Sequence, residues 1–134
     1  MTKGLEKTCK FLKEENTYYL ATIEDNKPRV RPFGTAHIFE DKLYIQTGLK
    51  KDVAKQMLEN PNVEISAFKD GAWIRVSGEA VLDERVEAQE SLLNEYPELS
   101  SMYKAGDGNT AVFYLNNAKA RFFSFSEAPE EFEI

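Results

Sequence analysis

Hydrophobic residues recur along this chain mostly at the two-residue spacing of β-strands, but three stretches show helical spacing instead. The first helical stretch covers residues 3–15, and the second covers residues 53–58. The third, residues 83–104, contains Pro97 and is predicted to form two short helices, because proline interrupts a helix interior. All three are short and amphipathic, so we expect them at the periphery of the fold.

The alternating runs predict strands that are joined mainly by hairpins. Residues 25–28 and residues 70–71 are turn sequences, and residues 116–118 are predicted to close a third hairpin. Gly78 is predicted to mark a bulge that lets a long strand bend. The predicted strands cover residues 18–23, 29–39, 42–47, 63–68, 72–82, 111–115 and 119–125. The pattern predicts a mainly β (α+β) fold, a small antiparallel barrel with peripheral helices.

Length and composition fit one globular domain, predicted to span residues 1–134. Hydrophobic residues make up 42% of the chain and charged residues 30%, so we do not expect disorder outside the ends. The acidic tail, residues 127–134, holds four glutamates. We expect this tail to be mobile unless a partner chain covers Phe132 and Ile134.

The negative net charge of the chain limits the kinds of partner that we expect it to bind. A formal net charge of -6 argues against a nucleic acid or an anionic membrane surface as the partner.

The sequence also bears on where the protein is found. The first residues do not resemble a signal peptide, and no run of apolar residues is long enough to span a membrane. The single cysteine, Cys9, excludes an intrachain disulfide and favours a reducing compartment. We therefore expect a cytoplasmic protein.

Four cations and a hydroxyl group gather in the central third of the sequence. Arg29 and Arg31 lie two residues apart on a predicted strand, so their side chains share a face. Thr47 then precedes Lys50 and Lys51 at the predicted start of a helix, where free backbone N–H groups favour anions. In a chain of negative net charge, this local pattern indicates a pocket for a phosphate-bearing ligand.

These residues also have plainer interpretations. The two arginines could form surface ion pairs, and the two lysines could be a solvated helix start. Trp73 could be ordinary packing rather than a ligand contact. Cys9 fits a small buried hydrophobic residue better than a reactive thiol.

Several chemistries are excluded or disfavoured by what the sequence lacks. His37 is the only histidine, which excludes a site built from several histidines, and we expect no metal site. The chain has no Gly-x-Ser-x-Gly motif for nucleophilic hydrolysis and no Gly-x-Gly-x-x-Gly fingerprint for a Rossmann domain. Catalytic residues cannot be named, because no side chain offers an evident acid, base or nucleophile.

An ordered set of short motifs carries a family resemblance. The motifs are Tyr19-Leu20-Ala21-Thr22, Pro28-Arg29-Val30-Arg31-Pro32-Phe33-Gly34, Leu43-Tyr44-Ile45-Gln46-Thr47, Lys50-Lys51, Asn60-Pro61-Asn62-Val63-Glu64-Ile65 and Val76-Ser77-Gly78-Glu79-Ala80. From about residue 18 to residue 82 they resemble, in order and spacing, the pyridoxamine 5'-phosphate oxidase-like, FMN-binding split β-barrel family. The resemblance implies a split β-barrel homodimer that binds two FMN molecules at the subunit interface.

The resemblance also implies particular cofactor contacts. The residues implied to bind FMN are Arg29, Val30, Arg31, Pro32, Phe33, Gln46, Thr47, Lys50, Lys51 and Trp73. By position, the first five would line the flavin ring and the phosphate, and the next two would contact both. The lysine pair would bind the phosphate at the helix start, and Trp73 would reach the flavin from the neighbouring subunit.

Fold and cofactor follow from the resemblance more directly than the substrate does. Pyridoxamine phosphate oxidases are longer and end in an arginine- and histidine-bearing substrate motif, whereas this sequence ends in residues 130–134, so we do not expect vitamin B6 chemistry. The leading hypothesis is an oxidoreductase that passes a hydride or electrons through FMN, with NAD(P)H as a possible small-molecule donor. The alternatives are a non-catalytic FMN-binding or flavin-storage protein, and a haem- or deazaflavin-binding relative.

Overall fold

The structure is a computed structural model that describes residues 2–134. Its α-helices are α1 (Lys3–Glu15), α2 (Asp52–Glu59) and α3 (Val86–Glu95), and a short 3-10 helix covers Pro97–Ser101. Its strands are β1 (Tyr18–Glu24), β2 (Lys27–Phe33), β3 (His37–Phe39), β4 (Lys42–Gly48), β5 (Asn62–Lys69), β6 (Ala72–Asp83), β7 (Thr110–Ser124) and β8 (Glu130–Glu133). The predicted α+β split barrel with peripheral helices is confirmed.

All eight strands form one antiparallel sheet, with the order β2-β1-β5-β6-β7-β4-β3 and with β8 paired to β7. The sheet curls around a core of aliphatic and aromatic side chains that α1 and α2 help to cover. Its two ends are β2 and β3, which are consecutive in the chain but are not paired with each other. The barrel is therefore split between these strands, and residues 34–36 cross the split.

The segment that crosses the split is held from three directions. The Tyr18 hydroxyl donates to the carbonyl oxygen of Thr35 at 2.6 Å, and the Thr35 hydroxyl accepts from the backbone N–H of Gln46 at 2.9 Å. The Tyr96 hydroxyl accepts from the N–H of Ala36 at 2.9 Å and donates to its carbonyl oxygen at 3.0 Å. β1, β4 and the end of α3 thus fix one short irregular segment.

Most sequence-based element predictions agree with the structure. α1 ends at Asn16 as expected, and α2 covers the predicted helix. The predicted strand 29–39 is interrupted between β2 and β3, beside Pro32 and Gly34. The stretch after Pro97 is a single 3-10 turn rather than an α-helix.

The predicted third hairpin is wrong. β7 runs without a reversal from Thr110 to Ser124, and its β6 partners shift register between Ser77 and Glu79. Asn117 adopts a positive φ of 49°, so the asparagine-rich sequence forms a bulge within one strand rather than a turn between two. The bulge predicted at Gly78 occurs at this level but in the neighbouring strand, since two residues of β7 lie opposite Gly78 of β6. A Cβ at Gly78 would come within 3.1 Å of the Ala118 side chain.

The acidic tail also differs from its prediction. Residues 130–133 form β8, which pairs with β7 within the same chain, so no partner is needed to order them. Phe132 packs edge-on against Phe122 and lies directly over Gly4, where an added Cβ would come within 2.5 Å of its Cβ. The absence of a side chain on α1 at this position admits the phenyl ring, a contact that the composition of the tail could not reveal.

Within residues 2–134, none of the helices combines the length and the apolarity that crossing a bilayer requires.

Candidate ligand-binding cavity at the barrel split

A cavity of about 310 Å³ lies beside the segment that crosses the split. One side is built by the end of β2, by β4 and by the start of α2, and the other by residues 96–103. The lining residues are Arg31, Pro32, Phe33, Gly34, Thr35, Gln46, Thr47, Lys51, Val53, Tyr96, Glu98, Leu99, Met102 and Tyr103. The cavity thus combines cations at one end with apolar and aromatic side chains along its walls, a composition typical of ligand sites.

The guanidinium of Arg31 is held by hydrogen bonds to three uncharged acceptors. Its Nη1 donates to the Thr22 hydroxyl at 2.7 Å and to the carbonyl oxygen of Leu20 at 3.2 Å. Its Nη2 donates to Oε1 of Gln56 on α2 at 2.6 Å. Burial lowers the pKa of the guanidinium from its usual value, but an arginine stays protonated in a protein. A positioned positive charge therefore lies at the edge of the cavity.

Gln46 and Thr47 lie on β4 beyond the part that pairs with β3, and here β4 pairs with β7 alone. Both side chains are buried, and the Gln46 amide donates from Nε2 to the backbone carbonyl oxygen of Thr47 at 2.9 Å. The N–H of Gln46 donates in turn to the Thr35 hydroxyl at 2.9 Å. Two polar residues of a paired strand thus line the cavity.

The two lysines that the sequence pairs are separated in the structure. Lys51 is the residue that precedes α2, and it lines the cavity together with Val53 from the first turn of the helix. Lys50 does not line the cavity. Its backbone N–H donates to Oδ1 of Asn109 at 3.2 Å. One lysine and the start of a helix therefore face the cavity, rather than two lysines.

The wall formed by residues 96–103 was missed by sequence reasoning. It contributes the side chains of Tyr96, Glu98, Leu99, Met102 and Tyr103. Its only sequence signal was Pro97, which indicated a break between helices but not its position in space. The hydrogen bonds from Tyr96 to Ala36 join positions 60 residues apart, and local periodicity carries no information about such a contact.

Two charged side chains in the cavity have no partner. In the part of the chain that the structure describes, neither the Lys51 amine nor the Glu98 carboxylate forms a hydrogen bond or an ion pair. The described partners of the Arg31 guanidinium are also uncharged. None of these three charged groups is held in an ion pair, although Glu24 and Asp52 interact with Arg31 at longer range, so all three can interact with a ligand.

Four of the residues that the sequence nominated lie outside this cavity. Arg29 shares a face of β2 with Arg31, but its Nε is bound to Glu24 Oε1 at 3.1 Å at the surface. Val30 points to the opposite face and is 68% exposed. Lys50 and Trp73 complete this group. Within one chain, the cavity brings together only Arg31, Pro32, Phe33, Gln46, Thr47 and Lys51 from the nominated set.

Trp73 belongs to an aromatic cluster on the outer face of the sheet. It stacks on Phe123 with ring centroids 5.4 Å apart, and it contacts Phe125 at 5.2 Å. Phe68 is its cross-strand neighbour on β5 and is 55% exposed. This outer cluster (Phe68, Trp73, Phe123 and Phe125) leaves large apolar side chains in solvent, a common property of interfaces between proteins.

The remaining candidates have structural roles in the described chain. Nε2 of His37 is 2.7 Å from the Ser91 hydroxyl, which joins β3 to α3 outside the cavity, and burial lowers the pKa of the imidazole. Cys9 is buried in the core, and burial raises the pKa of its thiol. Residues 2–134 contain no group of three or more His, Cys, Asp or Glu that could hold a metal ion.

Comparison with known proteins identifies relatives of the whole fold. The family model described as pyridoxamine 5'-phosphate oxidase matches residues 5–124. A NimC/NimA family protein from Clostridium acetobutylicum is 41% identical, with a TM-score of 0.94 over 98% of this chain and 93% of that one. No curated protein matches the chain.

Two more distant structures share the fold. A pyridoxamine 5'-phosphate oxidase-related, FMN-binding protein from Nostoc punctiforme is 14% identical, with a TM-score of 0.64 over 98% of this chain and 96% of that one. A haem-binding protein from Mycobacterium smegmatis is also 14% identical, with a TM-score of 0.74 over 99% of this chain and 59% of that one. At this identity the two structures establish the fold alone.

Replacing Gln56 tests the network beneath Arg31. Gln56→Leu removes the oxygen that accepts from Arg31 at 2.6 Å and from the Thr22 hydroxyl at 2.5 Å. Because a half-buried cation and a buried hydroxyl then lose an acceptor, we expect the free energy of unfolding to fall by about 2 kcal/mol. Urea denaturation measures the change. Lys55→Leu at an exposed position of the same helix is the control and should change stability by less than about 0.5 kcal/mol.

Proposed function

Because the chain belongs to the pyridoxamine 5'-phosphate oxidase family, we propose that it binds FMN in the cavity at the barrel split and acts through it as an oxidoreductase. The observation that carries the proposal is the pair of cationic side chains at one end of the cavity. Arg31 and Lys51 line that end, and neither forms a hydrogen bond or an ion pair with a carboxylate among residues 2–134, although Glu24 and Asp52 interact with Arg31 at longer range. In a chain of net charge -6, this is an anion site.

The donor groups fit a phosphate ester. A phosphate monoester carries close to two negative charges at neutral pH, which Arg31 and Lys51 would balance. The Thr47 hydroxyl and the first N–H groups of α2 add hydrogen-bond donors of the kind that phosphate groups accept from. Each charge-assisted hydrogen bond contributes about 1.5–3 kcal/mol, so this end of the cavity can supply much of the affinity.

The walls fit a flat ring system. Pro32 and Phe33 come from the end of β2, and Leu99 and Tyr103 come from the opposite wall. The Gln46 amide lies between them and can make a hydrogen bond to a polar ring edge. A cavity of about 310 Å³ is at the small end for a cofactor of this size, so part of the ring would extend beyond one chain.

We propose that a second copy of the chain covers the exposed part of the ring. Val30 and Trp73 do not reach the cavity of their own chain, and both lie on the outer face of the sheet. Tyr19, 52% exposed, and Phe68, 55% exposed, extend this apolar surface. In a dimer with twofold symmetry, the outer face of each chain would close the cavity of the other, as the family resemblance implies.

When bound, FMN supplies hydride or electron transfer, and the chain's residues bind it, orient it and exclude water. Tyr96 is not free to donate a proton, because its hydroxyl is already bonded to both backbone groups of Ala36 and burial raises its pKa. His37 is outside the cavity.

An acceptor that takes its protons from solvent fits this arrangement. NADH or NADPH would donate a hydride to the flavin at the open side of the ring. A non-catalytic flavin-storage protein would use the same binding groups.

Haem is the competing ligand, since a haem-binding protein shares the fold. The residue types that usually hold haem iron are histidine, cysteine, methionine and tyrosine. His37 and Cys9 do not line the cavity, whereas Met102, Tyr96 and Tyr103 do. The Tyr96 hydroxyl is already hydrogen-bonded to Ala36, so Met102 or Tyr103 would have to be the iron ligand. The cationic end could bind the propionates of haem as well as a phosphate, so it does not distinguish the two ligands. FMN is favoured because the cavity offers no histidine or cysteine to the iron. An absorption spectrum distinguishes the two, because haem gives a Soret band.

The separation of the two lysines allows a matched test of FMN binding. We expect Lys51→Ala to weaken FMN by at least about tenfold while changing riboflavin by less than about twofold, because riboflavin lacks the phosphate. Lys50→Ala should leave both affinities within about twofold, since Lys50 does not line the cavity. Flavin fluorescence titration measures all three proteins. Equal losses for FMN and riboflavin, or a protein that takes up neither, would contradict the proposal.

The dimer has its own test. Val30→Glu places a charge on the exposed apolar face, at the end strand of the sheet, so we expect sedimentation velocity to show a dimer for the unaltered protein and a monomer for this variant. Lys10→Glu on the exposed side of α1 changes the charge at a remote position and should leave the dimer intact. An unaltered protein that is monomeric at micromolar concentration with FMN bound would exclude the shared site.

Stopped-flow mixing separates an enzyme from a storage protein. If the protein is a reductase, NADH or NADPH should bleach the flavin absorption of the FMN-loaded protein within seconds, and a quinone or a nitroaromatic compound should restore it. His37→Ala should leave both rates within about twofold because His37 does not line the cavity. An oxidised flavin that neither nucleotide reduces over many minutes would favour storage.

A further inference from the structure

Glu98 is the one acidic side chain among the described residues that line the cavity. It lies in the first turn of the 3-10 helix Pro97–Ser101, and its carboxylate has no hydrogen bond or ion pair within residues 2–134. Lys51 lines the same cavity and is also unpaired, so the structure does not use the two charges to neutralise each other. The Glu98 side chain is exposed at the edge of the cavity, so its carboxylate can interact with a molecule that enters.

The charge balance of the cavity changes when the phosphate site is filled. Arg31 and Lys51 bring two positive charges, and a phosphate monoester brings close to two negative charges. Glu98 then remains as the one charged residue of the lining that the phosphate does not neutralise. Any second molecule that binds beside the cofactor meets a site that is negative on the side of the helical wall.

The wall that carries Glu98 is held in place. Backbone hydrogen bonds from Leu99 N–H to Tyr96 at 3.0 Å and from Tyr103 N–H to Leu99 at 2.9 Å close the 3-10 segment. Tyr96 is bonded in turn to Ala36 in the segment that crosses the split. The carboxylate is thus presented from a fixed backbone, which is a requirement for selecting ligands by charge.

The neighbours of Glu98 on this wall are apolar or aromatic. Leu99, Met102 and Tyr103 line the cavity beside it, and Met102 is 67% exposed at the rim. An apolar wall with one carboxylate favours a flat apolar body that carries a neutral or positive group. It disfavours the same body with a carboxylate, because two like charges in a partly desolvated site repel.

We propose that Glu98 is a specificity-determining residue that makes the acceptor site select flat, neutral or cationic molecules and reject anionic ones. This inference rests on the proposed FMN site, because the phosphate must occupy the cationic end for Glu98 to dominate. Membership of the family and the choice of FMN do not determine which acceptors bind, whereas the charge of Glu98 would. Carboxylate-bearing aromatic compounds are excluded from that class, and protonated amidines and amines are included.

The test uses three probes with the same ring and different charges: benzamidine, benzamide and benzoate. Calorimetric titration of the FMN-loaded protein should show benzamidine bound more tightly than benzoate. In Glu98→Gln we expect benzamidine to weaken by about fivefold and benzoate to strengthen by about fivefold, with benzamide unchanged, as a single charge at a partly exposed site predicts. The ratio of the benzamidine and benzoate affinities should therefore change by roughly 25-fold.

Glu87→Gln is the matched control, because Glu87 is an exposed carboxylate on the adjacent α3 that does not line the cavity. It alters the net charge equally and should leave the affinity ratio unchanged. FMN affinity is measured for each variant first. A protein that does not bind FMN would overturn the proposed function, and with it the premise of the inference. Normal FMN binding with an affinity ratio that Glu98→Gln does not change would overturn the inference alone.

Discussion

The structure depends on how three residues cross the gap in the barrel. Gly34, Thr35 and Ala36 connect the two end strands of the sheet, which do not pair with each other. A free segment at this position would leave backbone groups unsatisfied at the edge of the core, and this would cost about 1–3 kcal/mol for each group. Tyr18 and Tyr96 supply partners for these backbone groups, and the N–H of Gln46 donates to the Thr35 side-chain hydroxyl. The same bonds attach the helical wall to the sheet, so the cavity exists because the split has been closed in this way.

A half-buried arginine that forms no ion pair with a carboxylate is the second constraint. Arg31 lies on the inner face of β2, and its described partners are Leu20, Thr22 and Gln56, which are all neutral. Those partners fix the guanidinium without neutralising it, and Glu24 and Asp52 interact with its charge without forming a hydrogen bond to it. The arrangement is understandable if the charge is held for an anion that is absent from the chain itself.

The sequence predicted the elements well where local chemistry decides them. The Asp25-Asn26 turn has positive φ at both residues, as the hairpin required, and Asn16 ends α1 where the apolar stripe stops. Asn117 illustrates where this fails, because an asparagine that tolerates a positive φ suits a bulge as well as a turn. Contacts between distant segments decide which one forms, and β6 pairs with β7 on both sides of the bulge.

The candidate site was predictable only in part, for the same physical reason. Motif order identified Arg31, Gln46, Thr47 and Lys51, but adjacency in sequence also brought in neighbours that the structure separates. Lys50 binds the loop at Asn109 through its backbone, and Glu98 had no signal at all because the helical wall meets the sheet only in the folded chain.

Val30 and Arg31 are consecutive, and strand alternation places them on opposite faces of the sheet. In the proposed twofold dimer, the strand would therefore serve two cavities at once, its own through Arg31 and that of the partner through Val30. Cofactor binding and subunit association would then be linked, because the ring contacts groups that only the dimer brings together. By linkage, each would strengthen the other by the same free energy. A residue that lies outside the cavity of its own chain can thus belong to the site, and Val30 and Trp73 keep that role in the proposal.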